Sequence, residues 1–294
     1  MTIAGVYLSP EGIVLGADST SSVVSDNGYH FFNFGQKIFE IGEHSTFGLV
    51  TWGLAGLGRV SYRTLVARLA DDLEARPPAS VEEVATRWTD IFWPHFSANP
   101  NFIEARNLGA KLPFDPEAPD PSLNRSMDEE ARYRRLSIEI SVGFCIAGYV
   151  KPDRTPMAVS LIFSALEPPP TPQFIAQHSV QWWGMQNIMN RVIYGVEDAT
   201  IEAIKASGHW TGSDQDLARV FIPNALLPKA ALPMRDAVDY VHSAIYCTIK
   251  AMKFSQLPQV CGGPVELAVI TTDRKFRWVR HKPWDAAVVD GDFS

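Results

Sequence analysis

The chain has 294 residues, of which 46% are hydrophobic and 20% charged, so it can bury a sizeable core and form one large domain or two ordinary ones. Its formal net charge of −7 argues against binding to nucleic-acid phosphates or anionic lipid surfaces. The sequence contains neither a signal-peptide pattern nor an apolar run of the ~20 residues that a membrane span requires. We therefore expect a globular protein of the cytoplasm, with no nucleic-acid or membrane partner.

The sequence lacks the patterns of common metal, nucleotide and disulfide sites. Three scattered cysteines, Cys145, Cys247 and Cys261, are too few for a disulfide framework and fit reduced thiols. The seven histidines include no His-x-x-x-His pair, which gives no case for zinc. There is also no dinucleotide signature, no P-loop and no Gly-x-Ser-x-Gly elbow. We expect neither a metal nor a cofactor.

Short apolar runs bounded by turn residues predict strands in the first fifty residues. The runs at 2–8 and 12–17 form a hairpin-like pair around a turn at 9–12. Two further strands are predicted at 38–41 and 46–52. The N-terminal part of the chain is therefore expected to be β-structure.

Two helices are predicted next. Apolar residues fall at helical spacing from Tyr62 to Leu73, and Ser80-Val81-Glu82-Glu83 is a capping box that begins a second helix with one apolar face. Consecutive helices of this kind imply a helical layer packed on a sheet. From about 94 to 135 the periodicity fails and prolines occur among acidic residues. This pattern predicts an irregular acidic insertion.

The remaining chain repeats this order of strands and helices. The predicted elements are strands at 137–149 and 157–164, helices at 185–194, 197–206 and 238–252, and a closing hairpin at 264–280. Strands therefore flank helices at both ends of the chain. A sandwich of two sheets covered by helices on both outer faces accounts for this order, which is an α+β fold in one domain spanning residues 1–294.

The chemistry-bearing residues lie near the N-terminus. If Met1 is removed, Thr2 carries a hydroxyl and a free α-amine, and such an amine titrates at about 7.7–8.0. Asp18 ends the second strand and Lys37 begins the third. An ammonium beside the Thr2 hydroxyl favours the alkoxide, while a carboxylate keeps that ammonium charged and oriented. Together these residue types suggest an N-terminal threonine nucleophile.

These residues resemble the start of a proteasome β-type subunit of the bacterial kind, a member of the N-terminal-nucleophile hydrolases. In that family a catalytic aspartate follows the threonine by 16 positions in a Gly-strand-Ala-Asp-Ser context, as Asp18 follows Thr2 here. Lys37 begins a Lys-Ile-Phe-Glu-Ile segment similar to the family's lysine segment. The resemblance continues to Gly53, which matches the glycine whose N–H serves as the oxyanion donor.

The resemblance implies a four-layer αββα sandwich and a threonine-type amide or peptide hydrolase, with Thr2, Asp18, Lys37 and Gly53 as catalytic residues. It also implies a homo-oligomer that could close into a ring and a peptide or amide substrate. Two alternatives stay open. The chain could be an inactive proteasome-like subunit that serves as an assembly or binding scaffold, or an amidase for small molecules on the same fold.

The sequence departs from the family at the groups that orient the threonine amine. Met185 stands where the family has a serine after a glycine, and Pro258 and Cys261 stand in place of an aspartate and a second serine. A thioether cannot replace a hydroxyl, and a thiol offers at most a weak contact. Asp236 or Asp239 could substitute for the missing carboxylate.

Overall fold

The computed structural model describes residues 2–25, 28–117, 119–226, 232–256 and 258–282. Met1, and with it the question of its removal, lies outside these ranges. The strands are β1 (Ile3–Ser9), β2 (Gly12–Ala17), β3 (Ser21–Ser25), β4 (Gly28–Phe32), β5 (Ile38–Glu40), β6 (Phe47–Gly53), β7 (Val142–Gly148), β8 (Met157–Phe163), β9 (Gln173–Phe174), β10 (Ser179–Gly184), β11 (Glu266–Thr271) and β12 (Arg274–Arg280).

The strands form two five-stranded sheets and one small hairpin. The first sheet has the order β10-β1-β2-β11-β12, the second has the order β5-β6-β7-β8-β9, and β3 pairs with β4 alone. All the pairings are antiparallel. The expectation of an α+β fold built on antiparallel sheets is confirmed.

The helices are α1 (Tyr62–Ala75), α2 (Val81–Ser97), α3 (Pro100–Gly109), α4 (Met127–Glu139), α5 (Asn187–Tyr194), α6 (Asp198–Ala206), α7 (Asp214–Phe221) and α8 (Met234–Phe254). The capping box predicted at Ser80 is present in part, because the Ser80 hydroxyl accepts from the Glu83 N–H at the start of α2. None of the described helices combines the length and the apolarity needed to cross a membrane.

The apolar core divides into three clusters. One lies between the sheets and joins Ala4, Val6 and Leu8 of β1 to side chains of β6 and β7. A second packs α1 and α2 on β6, β7 and β8, and a third packs α5 and α8 on the first sheet. Ile3 and Tyr7 of β1 belong to this third cluster. Because side chains alternate along a strand, β1 is buried on both faces, which explains its continuous apolar run.

The expectation of an irregular segment from 94 to 135 is wrong, because this segment contains helices. The end of α2, all of α3 and the first part of α4 lie within it. Asn99 caps α3 with Pro100 in its first turn, and Ser126 and Glu129 form a complete capping box at α4. These local capping signals outweigh the weak apolar periodicity. The strand predicted from 137 accordingly begins only at Val142 in β7.

Candidate active site

Thr2 lies directly before β1 and its residue is only 3% exposed. Its carbonyl accepts a hydrogen bond of 2.7 Å from the Met185 N–H. This contact needs Gly184, which has a φ of +80° and whose added Cβ would lie 1.7 Å from the Thr2 carbonyl oxygen. The end of β10 therefore holds Thr2 through its backbone carbonyl.

Asp18 follows β2 and is fully buried. Its Oδ1 accepts hydrogen bonds from Lys37 Nζ at 2.6 Å and from the Ile3 N–H at 3.1 Å. Its Oδ2 accepts from the N–H groups of Thr20 at 3.2 Å and Gly262 at 2.9 Å. A buried carboxylate is stable only when such donors replace its water. The Asp18 carboxylate is therefore fixed in position and joined directly to the Lys37 ammonium.

Lys37 lies directly before β5, and its side chain is 7% exposed. Burial lowers the pKa of Lys37 from 10.5, and this effect exceeds the opposing influence of the Asp18 charge. The Lys37 carbonyl accepts a hydrogen bond from the Thr51 N–H at 2.9 Å, which ties Lys37 to β6. The ammonium is therefore held between the two sheets and loses its proton more readily than a lysine in water.

Gly53 is the last residue of β6. Its φ of +88° and the 2.3 Å separation between an added Cβ and the Ser141 carbonyl oxygen require glycine here. The neighbouring Leu54 N–H is already bound to that same carbonyl at 3.0 Å, whereas the Thr51 N–H points to Lys37. Alternation along the strand turns the Gly53 N–H to the same side as that of Thr51.

A small cleft, with a cavity volume of about 40 Å³, joins these groups. Thr2, Lys37 and Gly53 all line it, and Asp18 lies behind Lys37. The four residues singled out from the sequence are therefore close together, although they come from four separate points of the chain. Their catalytic roles stay a prediction.

Sequence reasoning missed several residues of the cleft. Thr51, Trp52 and Tyr62 also line it. Trp52 stacks on Trp183 with ring centres 4.2 Å apart and planes within 7°. Burial raises the pKa of the Tyr62 hydroxyl, which donates to the Leu54 carbonyl at 2.6 Å. The sequence signal for the aromatic side of the cleft was Trp52 at the end of a predicted strand.

Cys261 also lies beside Lys37 and Asp18. Burial, followed by the Asp18 charge, raises the pKa of its thiol to about 12. A thiol with such a pKa is neutral at physiological pH and a poor nucleophile. Cys261 therefore contributes packing and the backbone of the 261–262 turn, not a second reactive group.

Asp236 and Asp239 do not replace the missing carboxylate. They are exposed in the first turns of α8. The start of α8 packs against the far end of β1, where the Leu232 N–H donates to Tyr7 Oη and Ser9 contacts Met234. Seven extended residues place that end about 20 Å from Thr2. Within the described residues, no group of three or more metal-ligating side chains converges.

No family model matches the sequence, and no curated protein matches it. Among solved structures, the fold is similar to Anbu (ancestral beta-subunit) from Yersinia bercovieri, with 11% identity, a TM-score of 0.49 and coverage of 98% of this chain and 92% of that one. It is also similar to the Anbu (Gly-1) mutant from Hyphomicrobium sp. strain MC1, with 10% identity, a TM-score of 0.50 and coverage of 99% and 96%.

The assignment to the bacterial proteasome β-subunits is therefore wrong. The similar structures are Anbu proteins, which are proteasome-like but form a distinct family, and the identity is low enough that only a distant likeness of fold follows. The spacing of Thr2, Asp18 and Lys37 is set by the β1–β2 hairpin and the approach to β5. Such spacing belongs to a fold and does not single out one family built on it.

Proposed function

We propose that this protein is a proteasome-related, threonine-type hydrolase of peptide or other amide bonds. The observation that supports it most strongly is one cleft lined by Thr2, Lys37 and Gly53, with the Asp18 carboxylate 2.6 Å from Lys37 Nζ. The likeness of fold to the Anbu structure from Hyphomicrobium sp. strain MC1 agrees with this proposal. The active form is the chain from which Met1 has been removed.

In the proposed reaction, Thr2 Oγ attacks the amide carbonyl and its proton passes to the Thr2 α-amine. The Lys37 ammonium lowers the pKa of the hydroxyl, Asp18 holds that ammonium, and the Gly53 N–H stabilises the oxyanion. The C–N bond then breaks, and the leaving amine takes the proton from the Thr2 ammonium. Water finally attacks the ester on Thr2 Oγ and releases the acid.

The same proposal includes the layer architecture, the oligomeric state and the cellular location of the enzyme. The three apolar clusters support a four-layer αββα sandwich, with helices outside both sheets, in a single domain. We further propose a homo-oligomer that closes into a ring, acting in the cytoplasm on a peptide or amide substrate. The oligomeric mass in solution tests the assembly.

Intact mass spectrometry before and after treatment with a threonine-directed epoxyketone tests the chemistry. We expect the mass of a chain without Met1 and one inhibitor adduct, together with hydrolysis of peptide or acyl-amide substrates. Thr2→Ala should lose both the adduct and the hydrolysis. Unchanged hydrolysis in Thr2→Ala would rule out Thr2 as the nucleophile.

A second candidate is a scaffold without catalysis. It is favoured by Met185 and Cys261, which place no hydroxyl where the family orients its threonine amine, and by Pro258 in place of a carboxylate. General-base catalysis depends on such orientation before it depends on pKa. A chain that keeps Met1 and forms no adduct supports this candidate. A small-molecule amidase would instead form the adduct and cleave short acyl amides, but not peptides.

A further inference from the structure

A second buried ion pair lies beside Asp18 and Lys37. Glu266 is the first residue of β11, pairs in register with Ala17 and is fully buried. Its Oε2 lies 2.9 Å from Lys282 Nζ, and its Oε1 lies 2.8 Å from His281 Nδ1, although neither contact to the carboxylate has hydrogen-bond angles. The Lys282 side chain is 11% exposed.

Lys282 connects the two backbone segments that carry the proposed catalytic pair. Its Nζ donates to Ser19 Oγ at 3.3 Å and to the Gly35 carbonyl at 3.0 Å. Ser19 directly follows Asp18, and Gly35 precedes Lys37 by two residues. The Gly35 N–H in turn donates to the Ser19 carbonyl at 2.8 Å. One ammonium thus holds the segments of Asp18 and Lys37 at a fixed separation.

A buried ion pair needs an explanation beyond stability, because apolar side chains of similar volume often stabilise a core as well or better. Here the lysine of the pair also acts on a residue of the cleft. The groups that influence the Lys37 charge are Asp18, Cys261 and Lys282. Burial lowers the pKa of Lys37 most, and the positive charge of Lys282 lowers it further, whereas Asp18 and Cys261 raise it.

We propose that Lys282, with Glu266 as its counter-ion, is a positioning residue for hydrolysis at Thr2. It holds the Ser19 and Gly35 segments so that the Lys37 ammonium faces the cleft. This inference rests on the proposed function and extends it to a residue at the opposite end of the sequence.

Steady-state kinetics and pH profiles of Lys282→Met test the inference. We expect kcat to fall about 10- to 100-fold, as for a misplaced catalytic group, with KM changed by less than about twofold. The alkaline limb of kcat/KM should move to higher pH, because a positive neighbour of Lys37 is lost. Lys282→Arg keeps the charge and should recover part of the lost kcat.

Two further variants separate positioning from stability. Lys282→Met leaves Glu266 without its lysine partner and could fail to fold, whereas Glu266→Gln combined with Lys282→Met removes both charges and should fold but remain slow. Lys111→Met is the matched control, because it removes a lysine paired with Glu129 at 2.6 Å, outside the residues that line the cleft. It should behave as the wild type in kcat and in the pH profile.

The outcomes distinguish the inference from the function on which it rests. The inference alone is overturned if the wild type is active and the double variant matches Lys111→Met in three measurements. These are kcat, the alkaline limb of kcat/KM, and deuterium uptake around Ser19 and Gly35. A wild type that neither hydrolyses amides nor takes a Thr2 adduct overturns the proposed function, and the inference falls with it.

Discussion

Lys37 is an unusual lysine because its ammonium is buried and yet paired. Its neighbours Asp18 and the Thr51 N–H fix both ends of the residue, the side chain through Nζ and the backbone through its carbonyl. Burial favours the neutral amine, whereas the proposed mechanism needs the ammonium. The proposed hydrolysis is therefore expected to have an upper pH limit set by Lys37.

We predict that the alkaline limb of kcat/KM lies below the ordinary lysine pKa of 10.5. The pKa of Lys37 is lowered by burial, so the ammonium is present below that lowered pKa and is lost as the pH rises through it. Lys37→Arg keeps its charge at all accessible pH values and should lose this limb, although its kcat falls because the larger head group is misplaced. The pH dependence of kcat and kcat/KM in the wild type and in Lys37→Arg measures both effects. An identical alkaline limb in the two proteins contradicts the prediction.

The α3–α4 pair is the largest difference between the elements predicted from the sequence and those in the structure. Arg125, which is only 6% exposed, ties the two helices together. Its guanidinium donates to the Leu108 carbonyl at 3.0 Å and the Lys111 carbonyl at 2.8 Å, pairs with Glu130 at 2.6 Å and stacks over the Tyr133 ring at 4.1 Å. It thereby gives a second donor to the Leu108 carbonyl, which also accepts from the Lys111 N–H at 3.2 Å, and binds the Lys111 carbonyl just after α3.

We predict that the α3–α4 pair loosens in acid through Glu130. The hydrogen bond from Arg125 lowers the pKa of Glu130 from 4.5 to about 2. A carboxylate whose pKa is lower in the folded than in the unfolded state stabilises the fold at pH values above its unfolded-state pKa. That contribution is lost as the pH falls through the folded-state pKa. Between about pH 5 and pH 2 the wild type should therefore lose more stability than Glu130→Gln. Denaturant unfolding at several pH values measures the free energy of unfolding of both proteins. If this free energy falls equally with pH in the two proteins, the prediction is refuted.

Across the whole molecule, stability depends on the apolar layer between the two sheets. Leu15 of β2 lies in it with no exposure, and so do Val50 and Cys145 from the opposite sheet. This layer fixes the distance between the sheet that carries Thr2 and the sheet that carries Gly53. The geometry of the cleft is therefore a property of the packed sheets and not of either sheet alone.

We predict that Leu15→Ala lowers the free energy of unfolding by about 2–5 kcal/mol, since it leaves a cavity where both sheets pack. Leu226→Ala is the matched control, because that side chain is 73% exposed and should change stability by less than about 0.5 kcal/mol. Denaturant unfolding of the two variants gives the comparison. A similar loss in both would show that the layer between the sheets is not what limits stability.

The sequence by itself determined the features that depend on neighbouring residues. Alternating and continuous apolar runs predicted β1, β2 and β6, and the order of Thr2, Asp18 and Lys37 predicted their convergence at one site. The capping box at Ser126 was also present in the sequence, in a segment without apolar periodicity. The same spacing gave the wrong family, because many relatives of one fold share it.

Only the tertiary structure decided which distant residues complete the site. Gly262 donates to Asp18 across 244 positions of the chain, and Lys282 reaches Gly35 across 247. The Met185 N–H holds the Thr2 carbonyl, a contact that no local pattern predicted. Such contacts depend on the order of strands in the sheets, with β11 beside β2 and β10 beside β1. No local pattern encodes that order, because it is fixed by how whole elements bury their apolar faces together.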